Sequence, residues 1–229
     1  MRSAAASALV AGLLDDGASV VEVARTRMSV HYETGRDDVP VVCVCTPGAV
    51  RLPNSVLTSV LPTGALVVRD GRLSTSENVW RVARWWQPPR PRGLTAPSAL
   101  PDLGIDVPAD LDPCALVGLG DGLTPSGDDV LAGALVAAAA TDHPRLEEWR
   151  TATRAALVSR TTTAVSRGLL THALDGWAVP ELAEFVVAVC EGDARAAAAR
   201  LRLVGHSSGT ALAAGALHVL GGESLRGAA

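Results

Sequence analysis

Between Gly118 and Asp129 the chain reads GLGDGLTPSGDD, and this run concentrates most of the chemistry the sequence offers. Gly118, Gly120 and Gly122 permit backbone conformations closed to other residues, and Pro125 stiffens the chain just ahead of a helix, so the loop can wrap closely around a ligand. Thr124 adds a hydroxyl to that lining. Ser126 is placed to cap the helix, and the free N–H groups of its first turn, with Gly127 at their head, favour an anion such as phosphate or carboxylate. Asp128 and Asp129 occupy the same turn and compete with an anion unless a cation or basic group stands between them. Three arrangements resolve that tension: the aspartates hold Mg²⁺ that bridges to phosphate, they bind the amine or amide of a substrate, or they cap the helix. The lysine and following hydroxyl of a phosphate-binding P-loop are missing, and the spacing is not that of a dinucleotide fingerprint.

A second run, VGHSSGT at Val204 to Thr210, offers His206 as a general acid or anion contact, the hydroxyls of Ser207 and Ser208, and another helix start at Gly209; the plain alternative is an ordinary cap with a surface histidine. A third, SRTTTAVSRGLLTHA, places Arg160, Thr161 and Ser166 in an apolar neighbourhood, with the Arg160 guanidinium able to grip a carboxylate or phosphate. His172 reads as a helix-surface histidine. No nucleophile elbow, HExxH or CxxC pair occurs, so serine hydrolases and the familiar zinc enzymes have no support.

These runs need elements to hold them. Ser126-Gly127 is followed by DDVLAGAL and Ser208-Gly209 by TALAAGAL, so a Ser-Gly start and a glycine six residues on, Gly133 and Gly215, recur in the same register. If those two smooth helices pack on each other, both starts come to one end of a bundle. The chain from 114 to 229 is alanine-rich with three-and-four spacing and accommodates about six helices. Residues 1–86 are strand-rich after a short helix expected over residues 3–14, with a hairpin at Asp70-Gly71. Between them, 87–113 is a proline-rich linker flanked by Trp80, Trp85 and Trp86, aromatics suited to packing. The fold class is therefore α+β: a strand-rich N-terminal part followed by an alanine-rich helical bundle.

A chain of 229 residues, 48% hydrophobic, buries a full core without staples. Its net charge of −4, with 20 scattered Lys and Arg, disfavours a nucleic-acid partner. No apolar run reaches the roughly 18 residues that span a bilayer, no leader-like cleavage site is evident, and a cytoplasmic location is expected with no membrane partner. The four cysteines follow no disulfide or zinc pattern and read as reduced, buried thiols.

GLGDGLTPSGDDVLAG, with SRTTTAVSRGLLTHA and VGHSSGT, resembles the pattern of the AllH-type family, a domain of unknown function whose members include subunits of oxamate carbamoyltransferase. The resemblance covers Leu116 to Leu220 and is most specific in the first motif. It implies a cytoplasmic carbamoyltransferase subunit of purine (allantoin) catabolism, interconverting oxalurate and phosphate with oxamate and carbamoyl phosphate, with a small anionic substrate and other subunits of the complex as partners. Gly120, Gly122, Ser126 and Gly127 would then approach the phosphate, with Gly118 in the same loop. Asp128 and Asp129 would orient an amine or Mg²⁺, while Arg160, His206 and Ser208 bind or polarise carboxylate and carbonyl groups. Asp121 stands where a proline is expected in many relatives, and Ala211 where a second acidic residue is expected. The alternative is a non-catalytic anion-binding or assembly subunit of a larger metabolic complex.

Overall fold

A computed structural model describes residues 1–221. The chain is α+β and divides into two compact units: Met1–Pro88 together with Arg167–Thr171, and Pro89–Ser166 together with His172 onward.

The first unit is built on strands β1 (Arg2–Ser7), β2 (Ala18–Ser19), β3 (Val21–Arg25), β4 (Ser29–Glu33), β5 (Val41–Cys45), β6 (Ser55–Leu57), β7 (Val67–Arg69), β8 (Arg72–Ser74) and β9 (Val79–Trp86), in the order β2-β7-β8-β9-β1-β6-β5-β4-β3. The alanine-rich start does not form the helix expected over residues 3–14. It forms β1, parallel to β9 and antiparallel to β6, followed by a 3₁₀ turn and a short helix α1 (Ala11–Asp16). Alanine's helix preference is worth only ~1 kcal/mol over glycine. Two neighbouring strands and the burial of Ala4 and Ala6 outweigh it here. The hairpin at Asp70-Gly71 forms as expected, with φ of 51° and 68° at its two corner residues joining β7 to β8. Period-two alternation in β4 to β6 sends Val30, Tyr32, Val42, Val44 and Val56 into the core beside Leu13, Leu14 and Trp80. Trp80 is thus a core residue of this unit, while Trp85 is exposed.

In the second unit residues 89–112 carry no helix or strand, yet they are packed down. Leu94 N–H donates to the Ala140 carbonyl, Ala178 N–H donates to that of Pro89, and the Arg90 guanidinium lies over Trp177. The helices are α2 (Pro113–Leu116), α3 (Ser126–Ala140), α4 (Leu146–Ser159), α5 (Ala164–Leu174), α6 (Pro180–Glu191), α7 (Arg195–Leu201) and α8 (Ser208–Leu220). The middle of α5 groups with the first unit, where Gly168 lies against Asn54 and Val41. Helix α3 is apolar almost all round and buried over most of its length, as a central helix must be.

The sequence echo is realised as a helix pair. A Cβ at Gly133 would collide with the Leu212 carbonyl, and one at Gly215 with the Val130 carbonyl, a reciprocal contact placed alike in both helices. At the other end of the pair the Thr124 and Ser208 hydroxyls are 2.9 Å apart. Antiparallel helices of this length would separate their starts by ~20 Å. The starts touch, so α3 and α8 run in the same direction. Two further approaches anchor them: Gly127 is packed under the Leu116 carbonyl and Gly209 under that of Leu201. The cysteines are all free; Cys43 and Cys45 are buried in β5, whereas Cys114, at the start of α2, is exposed rather than buried.

Replacing a helical glycine by alanine ordinarily stabilises by ~1 kcal/mol. At Gly133 or Gly215 we expect the opposite, a loss of about 3 kcal/mol in urea unfolding, because the added methyl has only backbone to displace. A stabilised Gly133→Ala protein would contradict the close crossing.

Candidate functional site

The run Gly118–Asp129 folds into a loop that closes on the start of α3. Gly118, Gly120 and Gly122 all take positive φ, at 77°, 108° and 96°. Two of them are also required sterically: a Cβ at Gly118 would strike the Thr161 carbonyl, and one at Gly120 the Ser126 side chain. Leu119 and Leu123 are exposed on the loop's outer side. Pro125, not Ser126, is the N-cap; Ser126 is the first helical residue, and its Oγ donates to the Leu119 carbonyl at 3.4 Å. The first-turn amides are largely committed, Gly127 N–H to Leu119 O at 2.9 Å and those of Asp128 and Asp129 to Pro125 O.

The two aspartates have different fates. Both are fully buried. Asp128 spends its oxygens on the protein: Oδ1 accepts from Gly118 N–H at 2.9 Å and Oδ2 from the Thr162 hydroxyl at 2.5 Å. With Thr163 Oγ1 donating to the Leu123 carbonyl at 2.5 Å, the threonines after α4 fasten the loop down. Asp129 points the other way, beside the Thr124 and Ser208 hydroxyls, which bond each other. Its Oδ2 accepts no hydrogen bond. Burial is the main cause that raises its pKa from 3.8 to about 7; the two hydroxyls oppose the rise and the Asp128 charge adds to it.

Of the residues singled out in the sequence, the fold brings Gly118, Gly120, Gly122, Thr124, Ser126, Gly127, Asp128, Asp129, Ser208 and Gly209 to the paired starts of α3 and α8. Ser207 is the N-cap of α8 and is exposed, with His206 exposed beside it. Arg160 is the exposed C-cap of α4 and pairs with no acidic group among the described residues. What the third run delivers is its threonines, Thr162 above all, a residue that sequence reasoning passed over; three hydroxyls in a row between two helices were the available signal. His172 is buried, not on a helix surface. Among the described residues, no three His, Cys, Asp or Glu side chains converge as metal ligands, and no helix is long and apolar enough to cross a membrane.

A loop tied by Asp128 to the threonines after α4, with Asp129 beside the Thr124–Ser208 contact to α8, is the geometry that the family comparison falls on. Residues 116–220 match the AllH family. That family is described as oxamate carbamoyltransferase subunit AllH, and the matched stretch runs from the last residue of α2 to the end of α8. It therefore contains the whole loop, both paired helices and the threonine segment that ties the loop down. No curated protein and no solved structure matches the chain.

The asymmetry between the aspartates is measurable. Asp129 binds its proton up to about pH 7 in the folded protein against 3.8 for an ordinary aspartate, so the folded state holds the extra proton between those values. The stability this confers is complete below pH 3.8 and is lost as pH rises through about 7, on the order of 4 kcal/mol at ~1.4 kcal/mol per unit. Asp129→Asn removes that dependence, so its unfolding free energy should exceed the wild-type value at pH 8 and converge with it near pH 4. Asp128→Ala strips the acceptor from two donors and should cost about 3 kcal/mol at both pH values. Equal effects of the two changes would contradict the assignment.

Proposed function

We propose that this chain is a subunit of a carbamoyltransferase-type enzyme, acting on carbamoyl phosphate and a small carboxylate such as oxamate, with its site at the joined starts of α3 and α8. The observation that carries the reading is a buried carboxyl, Asp129, with an oxygen that no protein group satisfies, set beside two hydroxyls within the region that matches AllH. A fold seldom leaves a buried polar atom unmatched without a use for it. Thr124 and Ser208 can each donate or accept, so they suit a carbonyl or phosphoryl oxygen. His206 and Ser207, exposed at the lip of α8, and Arg160 at the end of α4 are the groups available to the anionic part of a substrate.

Asp128 serves this site by shaping it. Its two hydrogen bonds fix Gly118 and Thr162, and so the loop that leads into Asp129. Any Mg²⁺ would find Asp129 as the available carboxylate of the pair and would draw its other ligands from phosphate and water. The exposed Leu119 and Leu123 on the loop, and the family's description as a subunit, favour a working form that includes other subunits of the complex. The alternative, an anion-binding or assembly subunit without chemistry of its own, shares this site and differs in turnover.

Calorimetric titration of the full chain with carbamoyl phosphate, with and without Mg²⁺, tests the reading. Binding at millimolar or tighter affinity, ~−4 kcal/mol or better, that weakens at least tenfold in Ser208→Ala is the expected result. Affinity unchanged in that variant would place the ligand elsewhere and overturn the site.

A further inference from the structure

Resting on that reading, the geometry points to the specific group that this site recognises: we propose that Asp129, Thr124 and Ser208 form a subsite for the primary amide of a substrate. Asp129 Oδ2 accepts one amide N–H, and a hydroxyl donates to the amide oxygen.

The complementarity is in the donor and acceptor count. A primary amide presents N–H donors and a carbonyl acceptor side by side. Asp129, when ionised, can only accept, and each hydroxyl can donate. Above about pH 7, where Asp129 is ionised, the partner its Oδ2 lacks is a donor, and an unprotonated carboxylate or phosphate oxygen cannot supply one. An anion placed there would also face the Asp128 charge immediately behind. Among the described residues Asp128 is the titratable group whose charge bears on Asp129, and the other groups facing it, Thr124 and Ser208, are neutral. Thr124 and Ser208 are each half-buried, so the carboxyl lies one side chain below the surface, and an amide reaches it by parting the 2.9 Å hydroxyl pair. Ala211 stands in α8 at the position that Asp129 holds in α3, so α8 adds no carboxylate there.

The same contact serves transfer. As the amide nitrogen forms its bond to the carbamoyl carbon, the C–O bond to phosphate breaks and its electron pair leaves with the phosphate. The nitrogen must then shed one proton, and Asp129 Oδ2 is the atom in place to take it. A pKa of about 7 suits that exchange near neutral pH.

The test compares oxamate with oxalate, in which a carboxylate oxygen replaces the amide nitrogen, by calorimetric titration of the full-length chain at pH 8. Wild type should bind oxamate at least tenfold tighter than oxalate. Asp129→Asn, which offers a donor in place of an acceptor, should lose or reverse that preference, and its melting temperature checks that it folds. Ser208→Ala, which keeps the carboxyl, should weaken oxamate severalfold while keeping the preference over oxalate. Carbamoyl phosphate bound without any preference for oxamate over oxalate, or a preference intact in Asp129→Asn, overturns this inference alone. Failure to bind carbamoyl phosphate, oxamate and oxalate overturns it together with the function proposed above.

Discussion

Two backbones held in contact at a pair of glycines are the constraint on which the helical unit depends. Gly133 and Gly215 let α3 and α8 meet without side chains between them, each accepting the other's carbonyl where a Cβ would sit. Because the two helices run the same way, the crossing brings their starts together, and with them Thr124, Asp129 and Ser208, which stand up to 84 residues apart in the chain. The surrounding alanines, Ala132, Ala134, Ala213, Ala214 and Ala216, are the small side chains such an approach needs. Packing and site placement are here one requirement: the residues that allow the crossing also fix where the two loops end.

Burying adjacent carboxylates is costly unless each is matched. The fold matches one. Asp128 is bonded by the loop before α3 and by the threonines after α4, and so converts its burial into the rigidity of the Gly118–Pro125 segment. Asp129 is buried as deeply and left with an unmatched oxygen, held near neutrality largely by burial. A buried carboxyl with an unmatched oxygen costs stability, a cost that functional sites commonly carry. The neighbouring aspartates thus divide two tasks, one structural and one chemical.

Much of this was legible in the sequence, for identifiable reasons. Glycines at 118, 120 and 122 marked a loop that needs positive φ, and the recurrence of Ser-Gly with a glycine six residues on marked the helix pair, because both are constraints that only glycine satisfies. Asp70-Gly71 gave its hairpin for the same reason. What escaped depended on long-range pairing. The stretch at Arg2–Ser7 has the composition of a helix and becomes a strand because β6 and β9 flank it. Ser126 looked like a cap and is instead the first helical residue, because Pro125 takes the cap position. Nothing in the residue types distinguishes Asp128 from Asp129; the folded positions of Gly118 and Thr162 on one side and of Thr124 and Ser208 on the other do. Arg160 drew attention by its charge, yet its threonine neighbours make the contacts to the loop.

The central claim is that the joined starts of α3 and α8 form a substrate site around Asp129, and a crystal structure of the full chain soaked with oxamate tests it most directly. The account predicts oxamate at that end of the helix pair, its nitrogen within hydrogen-bond reach of Asp129 Oδ2 and the Thr124–Ser208 hydroxyl contact replaced by contacts to the ligand. Oxamate ordered elsewhere, with that hydroxyl pair still 2.9 Å apart, would contradict it.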